Sequence, residues 1–523
     1  MDNRLRPSNS RNPSTQQGGI RTSFAAWPVA GLLCLVTGSA SSLEPCRAAR
    51  LGKADIPVAI APSAGMTTYY VRPDGGDASQ CDGRTDSAYS GKARGCAWRS
   101  PAVALPASGR ARIKGGDTLR IASGTYDIGE DGAMQPIPSG PAAAAPTRII
   151  GKAGAKLVGT HGIHRVLNLD GSSNVEIGHL EITDDSDCVH KHAEPRVACT
   201  PAMPWARVGL YARRSHNVWL HDLDIHGMAA RGINAGGLRD WTLERVRLNR
   251  NGTAGWDGNV EDAEPNSGRM IFRDIEIGWN GCGERVATGE PWACWAQQSG
   301  GYGDGLGTTR TGGQWVIEDA HVHHNTSDGL DLRYMDGADS TRVTLRRIHA
   351  VANAGNQVKV KGNALVEDSV LVGHCSYFRK RFFMKPGDLC RGDGSTLQLV
   401  MTGHDTATVR HNTIAGEGAA QIGHSEGDAS DHIQVSDNLV IGFPNALRPG
   451  NQSAFNAGKS PARRSLSGNQ AWDVAQCPDG ASCGQNPKLS VMKLDAFNAR
   501  PLPGSPAAGK VGAPPCGTPA ARR

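Results

Sequence analysis

Three stretches of the chain repeat one pattern: Asp304-Gly305-Leu306-Gly307, Asp328-Gly329-Leu330-Asp331 and Asn356-Gln357-Val358-Lys359. They are offset by 24 and 28 residues. If each is one coil of a stacked structure, Asp304, Asp328 and Asn356 form one column. Gly307, Asp331 and Lys359 form a second. Alternation within a strand sets direction. Leu330, Leu332, Val358 and Val360 are apolar and face a core, so Asp331, Arg333, Lys359 and Lys361 share the opposite, exposed face. Carboxylates one strand spacing apart repel, so water, arginine or a cation must compensate them. Asp304, Asp328 and Asp331 offer hard oxygen ligands, which suit Ca²⁺ better than zinc. No His/Cys cluster at ligand spacing competes in the sequence. Lysine acts as a base only if its pKa falls, and a nearby cation with Lys361 and Arg333 is expected to push Lys359 down. A single Asp-Gly is ordinarily a turn; the stacking of two, with a third Asp and a Lys beside them, points to a site.

The elements that must hold these residues are short strands. Hydrophobic residues make up 38% of the chain, aromatics 5%, and Gly numbers 67 among 523 residues. Long helices need denser apolar periodicity; short strands joined by glycine-containing turns fit better. A motif of a polar pair followed by alternating apolar residues recurs. Its copies include His221-Asp222-Leu223-Asp224-Ile225, Arg273-Asp274-Ile275-Glu276-Ile277, Glu318-Asp319-Ala320-His321-Val322 and Arg346-Arg347-Ile348-His349-Ala350. Glu367-Asp368-Ser369-Val370-Leu371, Arg410-His411-Asn412-Thr413-Ile414 and Ser436-Asp437-Asn438-Leu439-Val440 continue it. The steps between second residues are 52, 45, 28, 21, 43 and 26. The short steps are one repeat each; the long ones are two repeats, or one repeat with a loop. Such a period with internal alternation signals a solenoid. Leucine-rich repeats would require Leu at fixed offsets, whereas Val, Ile, Ala and Leu are mixed here. The expectation is an all-β, parallel β-helix.

The N-terminus is expected to direct export. Arg4, Arg6, Arg11 and Arg21 precede an apolar stretch from Phe24 to about Val36, then Gly38-Ser39-Ala40. This is the layout of a secretory signal, and the stretch is short for a membrane span. Ten of the 13 cysteines form close neighbours: Cys81/Cys96, Cys188/Cys199, Cys282/Cys294, Cys375/Cys390 and Cys477/Cys483. Without C-x-x-C spacing they are expected to be local disulfides of an oxidising compartment. Cys34 lies in the signal, and Cys46 and Cys516 are left over. The net charge is +6, of which +3 (four Arg, one Asp) lies in residues 1–40. The near balance of the rest argues against a nucleic-acid partner. One basic run, Arg379-Lys380-Arg381 with Lys385 and Arg391, sits inside the Cys375/Cys390 loop as a solvated loop or a polyanion contact. The expected organisation is signal 1–40, linker 41–66, N-terminal cap and first coils 67–163, repeats 164–445, and C-terminal cap and tail 446–523. A monomer with no stable membrane partner is expected.

Both ends carry cap-like segments. Tyr69-Tyr70-Val71-Arg72-Pro73-Asp74-Gly75, Gly115-Gly116-Asp117-Thr118-Leu119-Arg120-Ile121 and Gly124-Thr125-Tyr126 open the chain, and Leu502-Pro503-Gly504-Ser505-Pro506-Ala507 closes it. These segments resemble those of secreted right-handed parallel β-helix proteins of the pectate lyase type. Gly303-Asp304-Gly305, Ser327-Asp328-Gly329-Leu330-Asp331 and Gly355-Asn356-Gln357-Val358-Lys359 resemble the site motifs of family 9 pectate lyases. The resemblance implies that Asp304, Asp328 and Asp331 bind Ca²⁺ and that Lys359 is the catalytic base. The chain departs from the pattern at Ser327, where the family has Asp, and at Gln357, where it has Gly.

The implied activity is Ca²⁺-dependent β-elimination on an acidic, uronate-containing polysaccharide. Arg333, Arg310 and Lys361 are candidate substrate contacts, since guanidinium pairs bidentately with carboxylate. Trp292, Trp295 and Tyr302 are candidate sugar-stacking or loop-packing residues. Two alternatives stand. An inverting glycoside hydrolase would use the same Asp residues around a water, but Gly403-His404-Asp405 and Gly423-His424-Ser425 only partly echo the polygalacturonase stretches. A non-catalytic carbohydrate-binding solenoid would need no chemistry, and Ser327 and Gln357 favour it.

Overall fold

The computed structural model describes residues 66–514 except 93, 191–197, 262–263, 285–293, 295–302, 310, 336–340, 380–389, 391–394, 445–451 and 457–459. The expected signal, Cys34, Cys46, Cys516, Arg310, Trp292, Trp295, Tyr302, Lys380, Arg381, Lys385 and Arg391 lie outside the described residues.

The chain coils as a right-handed parallel β-helix, the hand that parallel crossovers adopt. One flank is a ten-stranded sheet. Its strands are Ile163–Asn168, Ala206–Arg213, Arg231–Gly236, Ala254–Asp257, Asp304–Gly307, Leu330–Leu332, Val358–Lys361, Leu397–Met401, Ala420–Glu426 and Ser453–Asn456. Every pairing in it is parallel. Between successive strands the chain passes through a larger, 21-stranded sheet. An antiparallel pair, Leu489–Val491 with Asn498–Pro501, lies near the C-terminal end.

Register converts sequence offsets into columns. Leu210, Ile233, Trp256, Leu306, Leu330, Val358, Leu397 and Ile422 stand in one inward file, all buried. A fully buried side chain of this kind contributes roughly 1.5–3 kcal/mol, and in a solenoid that gain comes from the neighbouring coil. Trp241, Trp256, Phe272 and Trp315 fill the middle of the helix with tilted and edge-on ring contacts.

The recurring motif has a backbone cause. Its second residue (Asp222, Asp274, Asp319, Arg347, Asp368, His411, Asp437) adopts φ of 50° to 56° at every copy. This left-handed residue bends the strand within the larger sheet; Asp tolerates the conformation because its short polar side chain bonds locally. Arg245 has φ 53° and supplies a copy that the sequence pattern missed. The step of 52 is therefore two coils. The steps of 45 and 43 are single coils with a loop, because Ile275 pairs with Ala320 and Val370 with Thr413.

A second bend carries a ladder of buried amides. Asn251, Asn280, Asn325 and Asn353 each follow a residue with φ between 54° and 59°. Each Nδ2 donates to the Oδ1 of the next, at 3.0, 2.9 and 2.8 Å. Asn353 ends the run and donates to Gln357 Oε1 at 2.8 Å. Gln357 ends the glycine run of a corner column that continues as Thr396 and Gln421: a Cβ on Gly329, its neighbour one coil below, would lie 2.5 Å from the Gln357 carbonyl oxygen. The departure at Gln357 is thus a structural cap on the amide ladder. All five expected disulfides are present.

Candidate active site

The two predicted columns exist. Gly307 pairs with Asp331 and Asp331 with Lys359. Asp257 extends this file on one side and Gln398 on the other. In the other column, the Asp328 amide donates to Asp304 Oδ1 at 3.1 Å. The Asn356 amide and Nδ2 both donate to Asp328 Oδ1, at 2.6 and 2.9 Å. A Cβ on Gly355 would stand 2.3 Å from that same oxygen, so only glycine leaves room for the carboxylate.

Lys359 connects the columns. Its Nζ donates to Asp328 Oδ2 and, at 3.3 Å, to Asp331 Oδ2. Asp331 Oδ1 accepts the Arg333 amide at 3.1 Å. Ser327 is buried, and its hydroxyl donates to Asp304. The residue that departs from the family motif therefore still faces the site, as a neutral donor instead of a charge.

Electrostatics follow from three buried carboxylates sharing one ammonium. Burial, reinforced by the charges of Asp328 and Asp331, pushes the Asp304 carboxyl up to about 8. Burial and Asp328 push Asp331 up to about 6. Burial acts upward on Asp328 too, but the Lys359 charge and the Asn356 donors hold it below the usual carboxylate range. Burial acts downward on Lys359, yet Asp328 and Asp331 outweigh it and its pKa is raised. The sequence expectation of a lowered lysine supposes a cation beside it; with the carboxylates alone the shift is upward. The reason is geometric: carboxylates, not cations, are its nearest charged neighbours. Arg333 instead reaches Glu426 at 3.8 Å and lies over the exposed Tyr334 ring, 5.5 Å from its centre. Lys361 is half-buried at the end of the Lys359 strand, beside Val400.

The donor set is that of a hard cation. It has three carboxylates and the Asn356 Oδ1, a buried oxygen with no hydrogen-bond partner. The Asp oxygens are not drawn together as they stand, because Lys359 occupies the space between Asp328 and Asp331. Among the described residues, triads whose ligand atoms lie within 4.8 Å of one another are His179/His221/Asp222, Glu276/His321/His323 and Cys375/Cys390/Glu417. The last contains a disulfide. The two histidine groups correct the expectation that no His cluster exists. The His321-Val322-His323 spacing signals one of them, since residues two apart on a strand share a face.

No family model and no curated protein matches the chain. Among solved structures it is similar to pectate lyase Pel9A, at 14% identity, covering 77% of this chain and 80% of that one, with a TM-score of 0.41. It is also similar to the A-module of mannuronan C-5 epimerase AlgE6 from Azotobacter vinelandii (10% identity, 70% and 89% covered, TM-score 0.37). A third is PfbA, a surface adhesin of Streptococcus pneumoniae (10%, 68% and 77%, TM-score 0.37). The fold assignment rests on the strand register of the chain itself.

Proposed function

We propose that this chain is an exported, Ca²⁺-dependent lyase that cleaves a uronate-containing acidic polysaccharide by β-elimination. The observation that carries the proposal is the pairing of Lys359 with Asp328 and Asp331, with Asp304 stacked one coil below Asp328, at the outer face of the ten-stranded sheet. Asp304, Asp328, Asp331 and the unpartnered Asn356 Oδ1 would hold the cation. When bound, Ca²⁺ supplies positive charge that engages these carboxylates and neutralises a uronate carboxylate as charge builds beside it.

The protein's own groups do the rest. Lys359 is protonated while Asp328 and Asp331 hold it; once those carboxylates are engaged elsewhere it gives that proton up to solvent and is left as a neutral amine base. Its Nζ then takes the C5 proton of the uronate. The C5–H electron pair forms the C4=C5 double bond, the C4–O pair leaves with the oxygen, and that oxygen takes a proton from water to release the 4-linked sugar. Arg333, with 45% of its side chain exposed on the same face, and Lys361 are placed to take substrate carboxylates. Arg310 remains a proposed contact.

Asp304, Asp328 and Asp331 sit in two adjacent coils, which lie about 4.8 Å apart. Five disulfides favour an oxidising compartment. Among the described residues no helix is long and apolar enough to cross a membrane. A solenoid with its ends covered is expected to act as a monomer.

The test is ultraviolet absorbance of unsaturated products from a panel of uronate polymers, with Ca²⁺ and with EDTA. Activity is expected with Ca²⁺ only, and Lys359→Ala is expected to lower it about 10²–10⁴-fold. New reducing ends without the absorbance would establish a hydrolase, and binding without either product a carbohydrate-binding solenoid.

A further inference from the structure

We propose that Glu276, His321 and His323, with His349 beside them, form a transition-metal site of the zinc class on the outer face of the larger sheet. It is separate from the Asp304–Lys359 group and does not depend on that group's function.

The strands Ser267–Gly278, Gln314–His323 and His349–Val351 are parallel neighbours. Ile275, Ile277, Ala320, Val322 and Ala350 face the core and are buried. The alternate residues Glu276, His321, His323 and His349 therefore face outward. Register puts Glu276 beside His321, and His321 beside His349. The rings of His321 and His323 stack at 4.1 Å between centres, 27° from parallel. The His321 and His349 rings are 5.2 Å apart. Ligand atoms from Glu276, His321 and His323 already lie within 4.8 Å of one another. A zinc ion with bonds of about 2 Å needs only a modest contraction of that set.

Two further features shape the group. Gly278 is the register partner of His323, and a Cβ there would stand 2.5 Å from His323 Nε2 and Cε1. The missing side chain lets the imidazole lie across the neighbouring strand toward Glu276, whose Oε1 is 3.5 Å from Nε2. The other ring nitrogen, Nδ1, sits 3.0 Å from His324 Nδ1, and His324 is itself stacked on Trp279 at 4.3 Å. A ligand histidine is typically fixed in this way through its second nitrogen. His349 Nδ1 is buried with no hydrogen-bond partner.

The second histidine triad provides the contrast. His221 also lies over a glycine, Gly178, but Asp222 and Glu176 take its two nitrogens at 2.8 and 3.4 Å. Arg245 pairs with the same Asp222 at 2.6 and 2.9 Å. That group is neutralised by its own cation. Around Glu276, Asn249 Nδ2 donates to Oε1 at 3.2 Å, and the register neighbour Arg247 pairs with Asp224. Three imidazoles and one carboxylate match zinc chemistry, whereas hard cations take oxygen donors.

The experiment uses the untagged full chain, stripped with a chelator and dialysed. Zn²⁺ binding is followed by calorimetry, and Co²⁺ binding by its visible spectrum. One equivalent of Zn²⁺ and a tetrahedral Co²⁺ spectrum are expected, both insensitive to millimolar Ca²⁺. His321→Gln and His323→Gln should each weaken Zn²⁺ at least tenfold and remove the tetrahedral spectrum; His179→Gln should change neither. Circular dichroism confirms that each variant is folded. Absence of Zn²⁺ binding by the unaltered chain would overturn the site whether or not the variants fold. So would unchanged binding in both His321→Gln and His323→Gln, or equal loss in His179→Gln.

Discussion

Two groups of charged residues on the same helix are arranged in opposite ways. On the larger sheet, Glu244, Arg273, Glu318, Arg346, Glu367 and Arg410 stand in consecutive register and alternate in sign. Each carboxylate meets arginine: Arg273 reaches Glu244 and Glu318 at 3.7 and 3.6 Å, Arg346 pairs with Glu318 and Glu367, and Arg410 with Glu367. The charges sum to zero. On the ten-stranded sheet, among the described residues, Lys359 is the cation that pairs with Asp328 and Asp331, and Asp304 stands beside them. A solenoid stacks whatever its repeats carry, so a balanced file is what stability alone would select. The unbalanced group carries an electrostatic cost that a third party, cation or substrate, would relieve. That contrast marks the site more sharply than any single residue in it.

The comparison can be tested first by removing a carboxylate. Asp328→Ala leaves Lys359 with one partner and strips the Asn356 amide and Nδ2 of their acceptor. Breaking a buried pair from one side costs about 3–5 kcal/mol, so a loss of that size in chemical denaturation is expected, together with loss of the response to Ca²⁺. A cost under about 1 kcal/mol would show that the cluster is solvated like any surface group.

Gln357→Gly comes next, because it restores the family residue. Two donors of Asn353, its amide at 3.1 Å and Nδ2 at 2.8 Å, lose their acceptor inside the core. An unsatisfied buried group costs about 1–3 kcal/mol. The expected result is a less stable protein with unchanged activity; higher activity would mean that Gln357 belongs to the site after all.

What the sequence made legible follows from this geometry. Offsets of 24 and 28 placed Asp331 beside Lys359 correctly, because strand register is a matter of counting along alternating residues. The role of Gln357 was not legible, since it depends on amides at 251, 280, 325 and 353 that align only once every coil is closed. The Arg245 coil keeps the same alternation, Glu244-Arg245-Val246-Arg247-Leu248, between the copies at Asp222 and Asp274. Glu276 and His321 are 45 residues apart across the Cys282–Cys294 loop, so their adjacency required knowing that this step is one coil. The pairing of Lys359 with Asp328 was not legible either, because ion pairing is a property of neighbours across strands.

A smaller effect is expected from pH. Asp304 and Asp331 lie above their ordinary 3.8, at about 8 and about 6. They bind more protons folded than unfolded, so their contribution to stability falls as pH rises from about 4 to about 8, then levels. Glu367 is shifted the other way by Arg346 and Arg410, against burial. Its contribution is present above its ordinary 4.5 and is lost as pH falls through its lower folded value. In EDTA, Tm is expected to decline between pH 5 and pH 8, and Ca²⁺ should raise Tm more at pH 8 than at pH 5. Asp304→Asn should flatten the decline. A Ca²⁺ shift independent of pH would separate the ion from these carboxylates.

The least effect is expected on the balanced side. Arg347 pairs with Asp319 at 2.8 and 3.0 Å and reaches Glu318 at 3.9 Å. Its side chain is 37% exposed, so solvent screens the pair and an exposed ion pair contributes roughly 0.2–1 kcal/mol. Asp319 and Glu318 keep water access after Arg347→Ala, and Glu318 keeps Arg273 and Arg346. Denaturation should therefore shift by less than about 1 kcal/mol, with activity and Ca²⁺ response unchanged. Because Arg347 holds φ 52°, Arg347→Gly separates the two contributions of this position: it gives up the same ion pair but relieves the left-handed backbone. If Arg347→Gly is more stable than Arg347→Ala, the bend outweighs the charge at this position, and the larger sheet is held by its backbone turns more than by its ion ladder.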